Sequence, residues 1–369
     1  MKPKVNILVG YREDNRKSME IYPNELFANF SADKQMEIEL YQPEKSRWNK
    51  YLTDKLSIKT RFSRYIDYPV KLISKKSNFS HITDHTYAHL ASTLNPARCI
   101  VTVHDLIPIL AWKGLVSTFT ISHKPLLFMY SINFLKKVKK IIAVSHSTKS
   151  DLMLLLDIPE DKIEVIYLGI NKAFQPLLNR NTIKEENNLN RDSVFNILII
   201  GNLDYKNNKS SLAAIELLEN RHDLTVQLIC MGNDPIKFAK DLLGVKLRLI
   251  PRFAMNLDLA EVIKLYNSCD CLLFPSLYEG FGFPPLEAMA CGLPVVSSKT
   301  GSMAEILGDA ALTTEPNNIE GLSYHLYRVL TDAGLREDLI NRGLIRAKIY
   351  SWATTSEKTM SLYKETWGI

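Results

Sequence analysis

The chain contains nearly the same short strand twice, Asn6-Ile7-Leu8-Val9-Gly10 and Asn196-Ile197-Leu198-Ile199-Ile200-Gly201, and each copy ends on a glycine. The echo is too short to establish a repeat, but it fits two α/β domains that each begin at a ligand-facing sheet edge. A length of 369 residues accommodates two such domains. Apolar runs bounded by turn signals predict strands at 5–10, 36–41, 80–84, 100–104, 141–145 and 163–167, with helices at about 22–31 and 123–138. The second half predicts strands at 195–201, 225–231, 246–250, 271–274, 294–297 and 311–313. Between and after them, helices are expected at 208–219, 235–243, 258–268, 285–291, 302–307 and 318–331, with a last helical region over 335–366. This alternation predicts α/β architecture with parallel sheets. The polar stretch from Phe174 to Ser193, with Asn179, Asn181, Asn187, Asn188 and Asn190, reads as the linker, so the domains are drawn as 1–175, 176–193 and 194–350.

The most specific segment runs from Phe274 to Ala290. It places Glu279 and Glu287 on either side of a loop stiffened by Gly280, Gly282, Pro284 and Pro285. Cys271 to Phe274 reads as a short buried strand, and Pro285 as the first residue of a helix that Gly292 ends. The loop therefore sits at the carboxyl end of a strand, where open α/β sheets bind ligands. Amides around Leu286 and Glu287 are expected to form a helix N-terminus suited to phosphate. Taken alone, Glu279 is also compatible with a turn acid, and Glu287 with a first-turn acid favoured by the helix dipole.

This Glu-x7-Glu arrangement resembles the signature of retaining glycosyltransferases of the family 4 type. The runs Val101 to Pro108, Ala143 to Ser147, Val165 to Ile170, Ile200 to Asn207 and Gly301 to Ala311 resemble further segments of that family, in family order. The resemblance covers most of residues 100–369 and is poor before about residue 95. It implies a GT-B fold: two facing Rossmann-like domains with parallel sheets and an interdomain cleft. Tyr350-Ser351-Trp352 is similar to the family's bend before a terminal helix that returns to the first domain, so 351–369 is expected to do so. The resemblance assigns the donor sugar's hydroxyls to Glu279 and its ring to the amides of Phe281, Gly282 and Phe283. It assigns the ribose hydroxyls to Glu287, a pairing that suits a bidentate carboxylate and a vicinal diol. Lys206, with Asn207, is expected to neutralise the diphosphate, and His104 to touch the sugar or assist proton movement, with Asp105 capping or orienting. Gly10, Asn202 and Leu286 are further donor-site candidates, and Arg252 and Phe253 are candidates for the base.

Two departures stand out. Asn202 occupies a position where the family often has Arg, so Lys209 or Arg252 must compensate or phosphate binding is weaker. The first loop, Gly10-Tyr11-Arg12-Glu13-Asp14, has one glycine where many relatives have a pair; Tyr11 and Arg12 are open to acceptor or phosphate contact. There is no G-x-G-x-x-G after either opening strand, which argues against a dinucleotide site.

The implied activity is metal-independent transfer of a hexose with retention, the 274–311 run looking most like mannosyltransferases. GDP-mannose is the first donor expected and a UDP-sugar the next; the acceptor is a saccharide or lipid-linked saccharide of surface polysaccharide synthesis. No cofactor beyond the substrate nucleotide and no metal is expected. The alternative is a non-catalytic GT-B protein that binds carbohydrate or partners an active subunit.

Charge bears on partners. The net charge of +6 is unevenly spread: residues 1–172 hold 26 Lys and Arg against 17 Asp and Glu, the rest 20 against 23. Lys55, Lys59, Arg61, Arg64, Lys71, Lys75 and Lys76 cluster in one segment, and Lys136, Lys137, Lys139 and Lys140 follow the apolar run Leu126 to Met129. Each cluster fits a solvated face or an anionic membrane surface. No recognition helix, zinc spacing or RNA-binding aromatic motif accompanies the charge, so nucleic acid is disfavoured. No apolar run reaches the roughly 18 residues of a membrane span, and the N-terminus lacks a signal-peptide core, so the expectation is cytoplasmic with peripheral contact at the inner membrane face. Cys99, Cys230, Cys269, Cys271 and Cys291 lack metal-ligand spacing and read as buried thiols. His81, His85 and His89 recur every fourth residue, but as exposed or structural histidines rather than metal ligands. His146 is unsupported as a site residue.

Overall fold

The computed structural model describes residues 2–14, 17–30, 36–44, 56–75, 77–116, 122–187, 189 and 193–368. Contacts divide the chain into two units, one of Met1–Lys113, Ile121–Gly169 and Trp352–Ile369, the other of Gly114–Thr120 and Ile170–Ser351.

The first unit carries strands β1 (Lys4–Leu8), β2 (Glu37–Tyr41), β3 (Phe79–Ile82), β4 (Cys99–Val103), β5 (Lys140–Ala143) and β6 (Ile163–Val165). They form one sheet in the order β2-β1-β3-β4-β5-β6, every neighbouring pair parallel. Side chains alternate across a strand, so a sheet covered on both faces needs apolar residues at every position. That is why β4 is buried throughout. Val101 and Val103 enter one core cluster with Ile141 and Ala143, while Ile100 joins Val5, Ile142 and Ile166 on the other. The helix Trp352–Trp367 covers the second face through Leu362 and Tyr363. There the Tyr363 hydroxyl lies 2.5 Å from His81 Nδ1, and His81 Nε2 lies 2.7 Å from Thr102 Oγ1. Trp367 stacks on Phe79 with ring centroids 4.4 Å apart.

The second unit carries β7 (Val194–Ile200), β8 (Thr225–Met231), β9 (Arg252–Ala254), β10 (Cys271–Phe274), β11 (Val295–Ser298) and β12 (Leu312–Thr314). Its sheet runs β12-β11-β10-β7-β8-β9, again all parallel. Strand order reverses between β7 and β10, and the loops leaving those two strands define a ligand-binding crevice in such sheets.

Several expectations change. Residues 246–250 are not a strand, although their alternation suggests one. The amides of Lys246 and Arg248 are taken by the carboxylates of Glu216 and Glu219, each at 2.9 Å, and the edge strand forms later as β9. The stretch 123–138 becomes the helix Leu126–Ile132 followed by a 3-10 turn. Residues 176–193 carry the helix Arg180–Glu186 and belong to the second unit, although Asn188 and Asn190 lie outside the described residues. The sequence reading missed the helices Leu56–Phe62, Tyr68–Ile73, Ile107–Trp112 and His146–Leu156.

His81, His85 and His89 are buried rather than exposed, and structural. Burial pushes His81 down to about 3 and His89 down to about 4, so both are neutral at pH 7. Tyr11 is also buried; its hydroxyl donates to Asp67, which removes it as a surface contact for acceptor or phosphate. Arg12 stays exposed and donates to Gln42 at 2.9 Å. In the basic cluster, Arg64 pairs with Asp14, and Lys71 with Asp67 at 2.8 Å, while Lys55 and Lys76 lie outside the described residues. All five cysteines are free and buried.

Candidate active site

The reversal between β7 and β10 brings the two most specific sequence segments together. Lys206 ends a 3-10 turn, Asp204–Lys206, after β7, and Glu279 lies in the loop after β10. The Leu277 amide donates to the Tyr205 carbonyl at 2.7 Å, fastening one loop to the other. Lys206 Nζ donates to Glu279 Oε1 at 2.6 Å, and its ammonium lies 4.6 Å from the Phe274 ring centroid. Glu279 is 8% exposed, and the buried Ser276 hydroxyl donates to the same Oε1 at 2.6 Å. Both interactions converge on one oxygen; Oε2 accepts no hydrogen bond among the described residues. A carboxylate held this way presents one oriented acceptor.

The loop backbone is fixed from behind. Ser302 donates through its amide to the Glu279 carbonyl at 3.0 Å, and its hydroxyl lies 2.7 Å from the Phe281 carbonyl. Ser298 and Thr300 hydroxyls both donate to the Ser276 carbonyl. Gly282 has φ +106°, and a Cβ there would stand 2.1 Å from Met303 Cε, so only glycine fits. A Cβ at Gly301 would fall 2.5 Å from the Glu279 carbonyl oxygen. Phe281 is buried edge-on to Phe283 and Tyr350.

The following helix is Phe283–Ala290, capped by Gly282, with both prolines in its first turn. It begins two residues before the expected start at Pro285. The ladder of an α-helix begins with the amide of its fourth residue, here Leu286. The amides of Leu286 and Glu287 therefore lie within the helix, and the free N-terminal positions expected there include two prolines, which have no N–H. Gly292, at φ +71°, follows the helix end. Glu287 is half-buried on this helix and accepts from the Tyr266 hydroxyl through Oε2 at 2.9 Å. Its Oε1 has no hydrogen-bond partner among the described residues. Burial pushes this carboxyl up to about 7, opposed by the Tyr266 bond.

The other second-unit candidates are more dispersed. Asn207 is buried in a left-handed conformation, and its side-chain amide donates to the Pro275 and Pro316 carbonyls at 3.1 and 2.8 Å. It joins loops rather than offering that amide to a ligand. Asn202 is half-buried beyond Gly201, while Lys209 is exposed. Arg252 sits on edge strand β9 with β8 between it and β7. The Phe253 ring packs edge-on against Phe238, and both Arg252 and Phe253 line a cavity of about 440 Å³ with Glu186, Leu257 and Lys264. Neither Ser276 nor Tyr266 was anticipated. Ser276 lies inside the Phe274 to Ala290 segment and Tyr266 a few residues before the strand Cys271–Phe274, but hydroxyl side chains near a strand carry no pattern of their own.

In the first unit, His104 follows β4 and is 6% exposed. Its Nε2 lies 2.9 Å from the Thr83 carbonyl; a carbonyl only accepts, so Nε2 carries the proton. Burial, then His85, lowers its pKa, which keeps the ring neutral with Nδ1 as an acceptor. The Asp105 carboxylate accepts the Ile107 amide at 3.0 Å and so opens the helix Ile107–Trp112. Gly10, half-buried after β1, accepts from Gln42 at 3.3 Å and lies against the Tyr87 ring. His146 is exposed at the start of its helix. Among the described residues, no group of three or more His, Cys, Asp or Glu is arranged to hold a metal ion.

Two doubly wound parallel α/β units, with a carboxylate–lysine site at the switch point of the second, define the GT-B class. The chain belongs to the glycosyltransferases of the family 4 type and is similar to bacterial mannosyltransferases: the family described as Glycosyltransferase Family 4 matches residues 42–174, and that described as Glycosyl transferases group 1 matches 179–346. It is 31% identical over 235 residues to O-antigen chain mannosyltransferase B of Escherichia coli, covering 62% of this chain and 61% of the relative. It is 33% identical over 239 residues to an uncharacterized glycosyltransferase of Methanocaldococcus jannaschii, covering 61% of this chain and 60% of that protein. The chain thus aligns with about three fifths of the length of these relatives. Sucrose-phosphate synthase from Thermosynechococcus elongatus shares the fold over 100% of both chains, with TM-score 0.73 and 15% identity. WaaG, a glycosyltransferase involved in lipopolysaccharide biosynthesis, matches with TM-score 0.68 and 18% identity, covering 98% of this chain and 99% of its own.

Proposed function

We propose that the protein is a retaining glycosyltransferase that moves a hexose from a nucleotide diphosphate to a hydroxyl of a saccharide or lipid-linked saccharide in surface polysaccharide synthesis. The observation that carries this reading is the Lys206–Glu279 pair at the switch point, with Glu279 Oε2 and Glu287 Oε1 both open to hydroxyl donors. Lys206 supplies a fixed cation where negative charge develops on the departing diphosphate, which lowers the barrier without added reorganisation. Glu279 accepts from the sugar and Glu287 from the ribose. His104, neutral and donating its Nε2 proton to the Thr83 carbonyl, accepts a hydrogen bond from a sugar hydroxyl at Nδ1 rather than acting as an acid. In a front-face substitution the acceptor oxygen bonds to the anomeric carbon as the bond to the diphosphate breaks, and the acceptor proton passes to the leaving phosphate. No metal takes part in this proposal.

GDP-mannose is the first donor proposed, because the matched relatives include an O-antigen chain mannosyltransferase and a MMP alpha-(1->4)-mannosyltransferase from Mycolicibacterium hassiacum at 28% identity. A UDP-sugar comes second; a HepE structure with UDP and glucose shares the fold at TM-score 0.72. The test is release of nucleotide diphosphate from a donor panel with saccharide acceptors and EDTA present, and assignment of the product anomer by NMR. Release only on adding a divalent metal overturns metal independence, and a β product overturns retention. No release from any donor favours the alternative, a carbohydrate-binding or partner subunit.

An anionic lipid surface is proposed as a further partner. Ile66, Val70 and Ile73 stand exposed at successive turns of one segment, and Leu126, Leu127 and Tyr130 on another. The Tyr65 hydroxyl donates to the Leu127 carbonyl at 3.2 Å and joins the two segments. Exposed Lys124, Lys136 and Lys137 flank the second. Among the described residues no helix is long and apolar enough to cross a membrane. Cosedimentation with phosphatidylglycerol vesicles but not phosphatidylcholine vesicles, lost in a Leu126→Ser/Leu127→Ser variant, is the expected outcome; equal binding to both overturns the anionic surface.

A further inference from the structure

The two carboxylates of the site share a construction: each has one oxygen tied to a hydroxyl of the scaffold and the other left open. For Glu279 the tie is Ser276, in the same loop. For Glu287 it is Tyr266, which comes from a different element, the helix Leu259–Ser268. That makes the Glu287 tie a matter of tertiary placement.

Tyr266 is fully buried and held from several sides. Its ring meets Phe174 edge-on, with centroids 5.9 Å apart at 76°. The next residue, Asn267, accepts the Leu177 amide at 2.8 Å and donates to the Gln175 carbonyl at 3.2 Å, so the segment carrying Phe174 is fastened to the same helix. A capping box between Asp258 and Glu261 fixes the start of that helix. The phenol is therefore held in place, and its hydroxyl donates to Glu287 Oε2 at 2.9 Å.

We infer that Tyr266 is the positioning residue of the ribose site: by donating to Glu287 Oε2 it orients the carboxylate and leaves Oε1 as a single aimed acceptor for a ribose hydroxyl. This rests on the assignment of Glu287 to the ribose. Two consequences follow from the geometry. Without the phenol, the carboxylate rotates about its last torsion, and selection between a ribose and a deoxyribose weakens. The phenol also stabilises the ionised form of Glu287, so its loss moves the carboxyl's titration further upward. The titratable groups against Glu287 are Tyr266 and, one turn on along its own helix, Cys291. Burial raises the Tyr266 phenol well above its ordinary value and pushes the Cys291 thiol up to about 12. Glu287 is thus the member of this group that titrates near neutrality.

The test is isothermal titration of the full-length protein with GDP and 2′-deoxy-GDP, and with UDP and 2′-deoxy-UDP, between pH 5.5 and 8.5. Wild type is expected to prefer the ribonucleotide, with affinity falling as pH drops through about 7. Tyr266→Phe, which keeps the ring, is expected to reduce that preference by about tenfold, the worth of one hydrogen bond to a charged group, and to move the fall in affinity to higher pH. Site-specific 3-fluorotyrosine at 266, an isosteric and better donor, is expected to move it to lower pH. If Glu287→Gln loses the ribose preference while both position-266 variants keep the wild-type preference and pH profile, the positioning role is overturned and the ribose assignment stands. If Glu287→Gln also keeps the preference, the assignment itself falls, and the inference with it.

Discussion

Replacing Glu287 by Gln should stabilise the protein above neutral pH while weakening nucleotide binding. The carboxyl titrates near 7 in the folded chain against an ordinary 4.5, because burial disfavours its ionised form. Between those values the folded state keeps a proton that the unfolded state has lost, so stability falls as pH rises through the window. At 1.36 kcal/mol per pKa unit the wild-type loss is about 3 kcal/mol, complete above pH 8 and absent below pH 4.5. Gln carries no charge and can still accept from Tyr266, so it escapes this loss. Urea unfolding of both proteins at pH 5, 6, 7 and 8 isolates the effect, since any pH-independent cost of the amide cancels in the trend. The variant's advantage should grow by about 2.5 kcal/mol across the series, part of the loss being already present at pH 5, which for a unit of this size is roughly 5–10 °C in melting midpoint. A difference that is flat, or that shrinks with pH, refutes the claim that Glu287 is a carboxylate held against its desolvation.

Ser276→Ala removes one of two hydrogen bonds on Glu279 Oε1 and should lower kcat/KM about tenfold with the unfolding midpoint within a few degrees of wild type; an unchanged rate refutes the positioning of Glu279 by Ser276. Gly282→Ala places a Cβ 2.1 Å from Met303 Cε at φ +106°, and should destabilise by about 2–3 kcal/mol in denaturant titrations, whereas Gly282→Ala with Met303→Ala should recover the clash but not the backbone strain. His81 is neutral in the fold and depressed to about 3 from 6.5, so the unfolded chain binds more protons over that interval and the stability contributed by neutral His81 is lost progressively as pH falls below 6.5. His81→Gln should flatten the acid limb of the stability curve followed by tryptophan fluorescence; an unchanged limb would show that other groups govern it.

Local pattern exposed much of this protein. Strands with both faces buried are apolar at nearly every position, and eleven of the twelve strands among the described residues overlap a predicted one. The exception, β9, was displaced by a competition invisible in sequence: Glu216 and Glu219, on a helix some thirty residues earlier, take the amides that a strand at 246–250 would have paired. Missed helices such as Leu56–Phe62 and Tyr68–Ile73 carry exposed apolar residues that blur the helical period.

By itself the sequence determined two α/β units of parallel strands and a glycine- and proline-shaped loop bearing Glu279, because periodicity, turn chemistry and backbone-restricting residues act over a few neighbours. Only the tertiary structure decided which strand ends adjoin. The reversal between β7 and β10 set Lys206 against Glu279 across more than seventy residues, and packing of a helix ending at Ser268 set Tyr266 against Glu287. It also buried Tyr11 on Asp67 and His104 on the Thr83 carbonyl, which fixed one as scaffold and the other as a neutral acceptor. Such pairings follow from the desolvation of charged and polar groups inside a folded core, where each needs a partner that chain proximity does not supply.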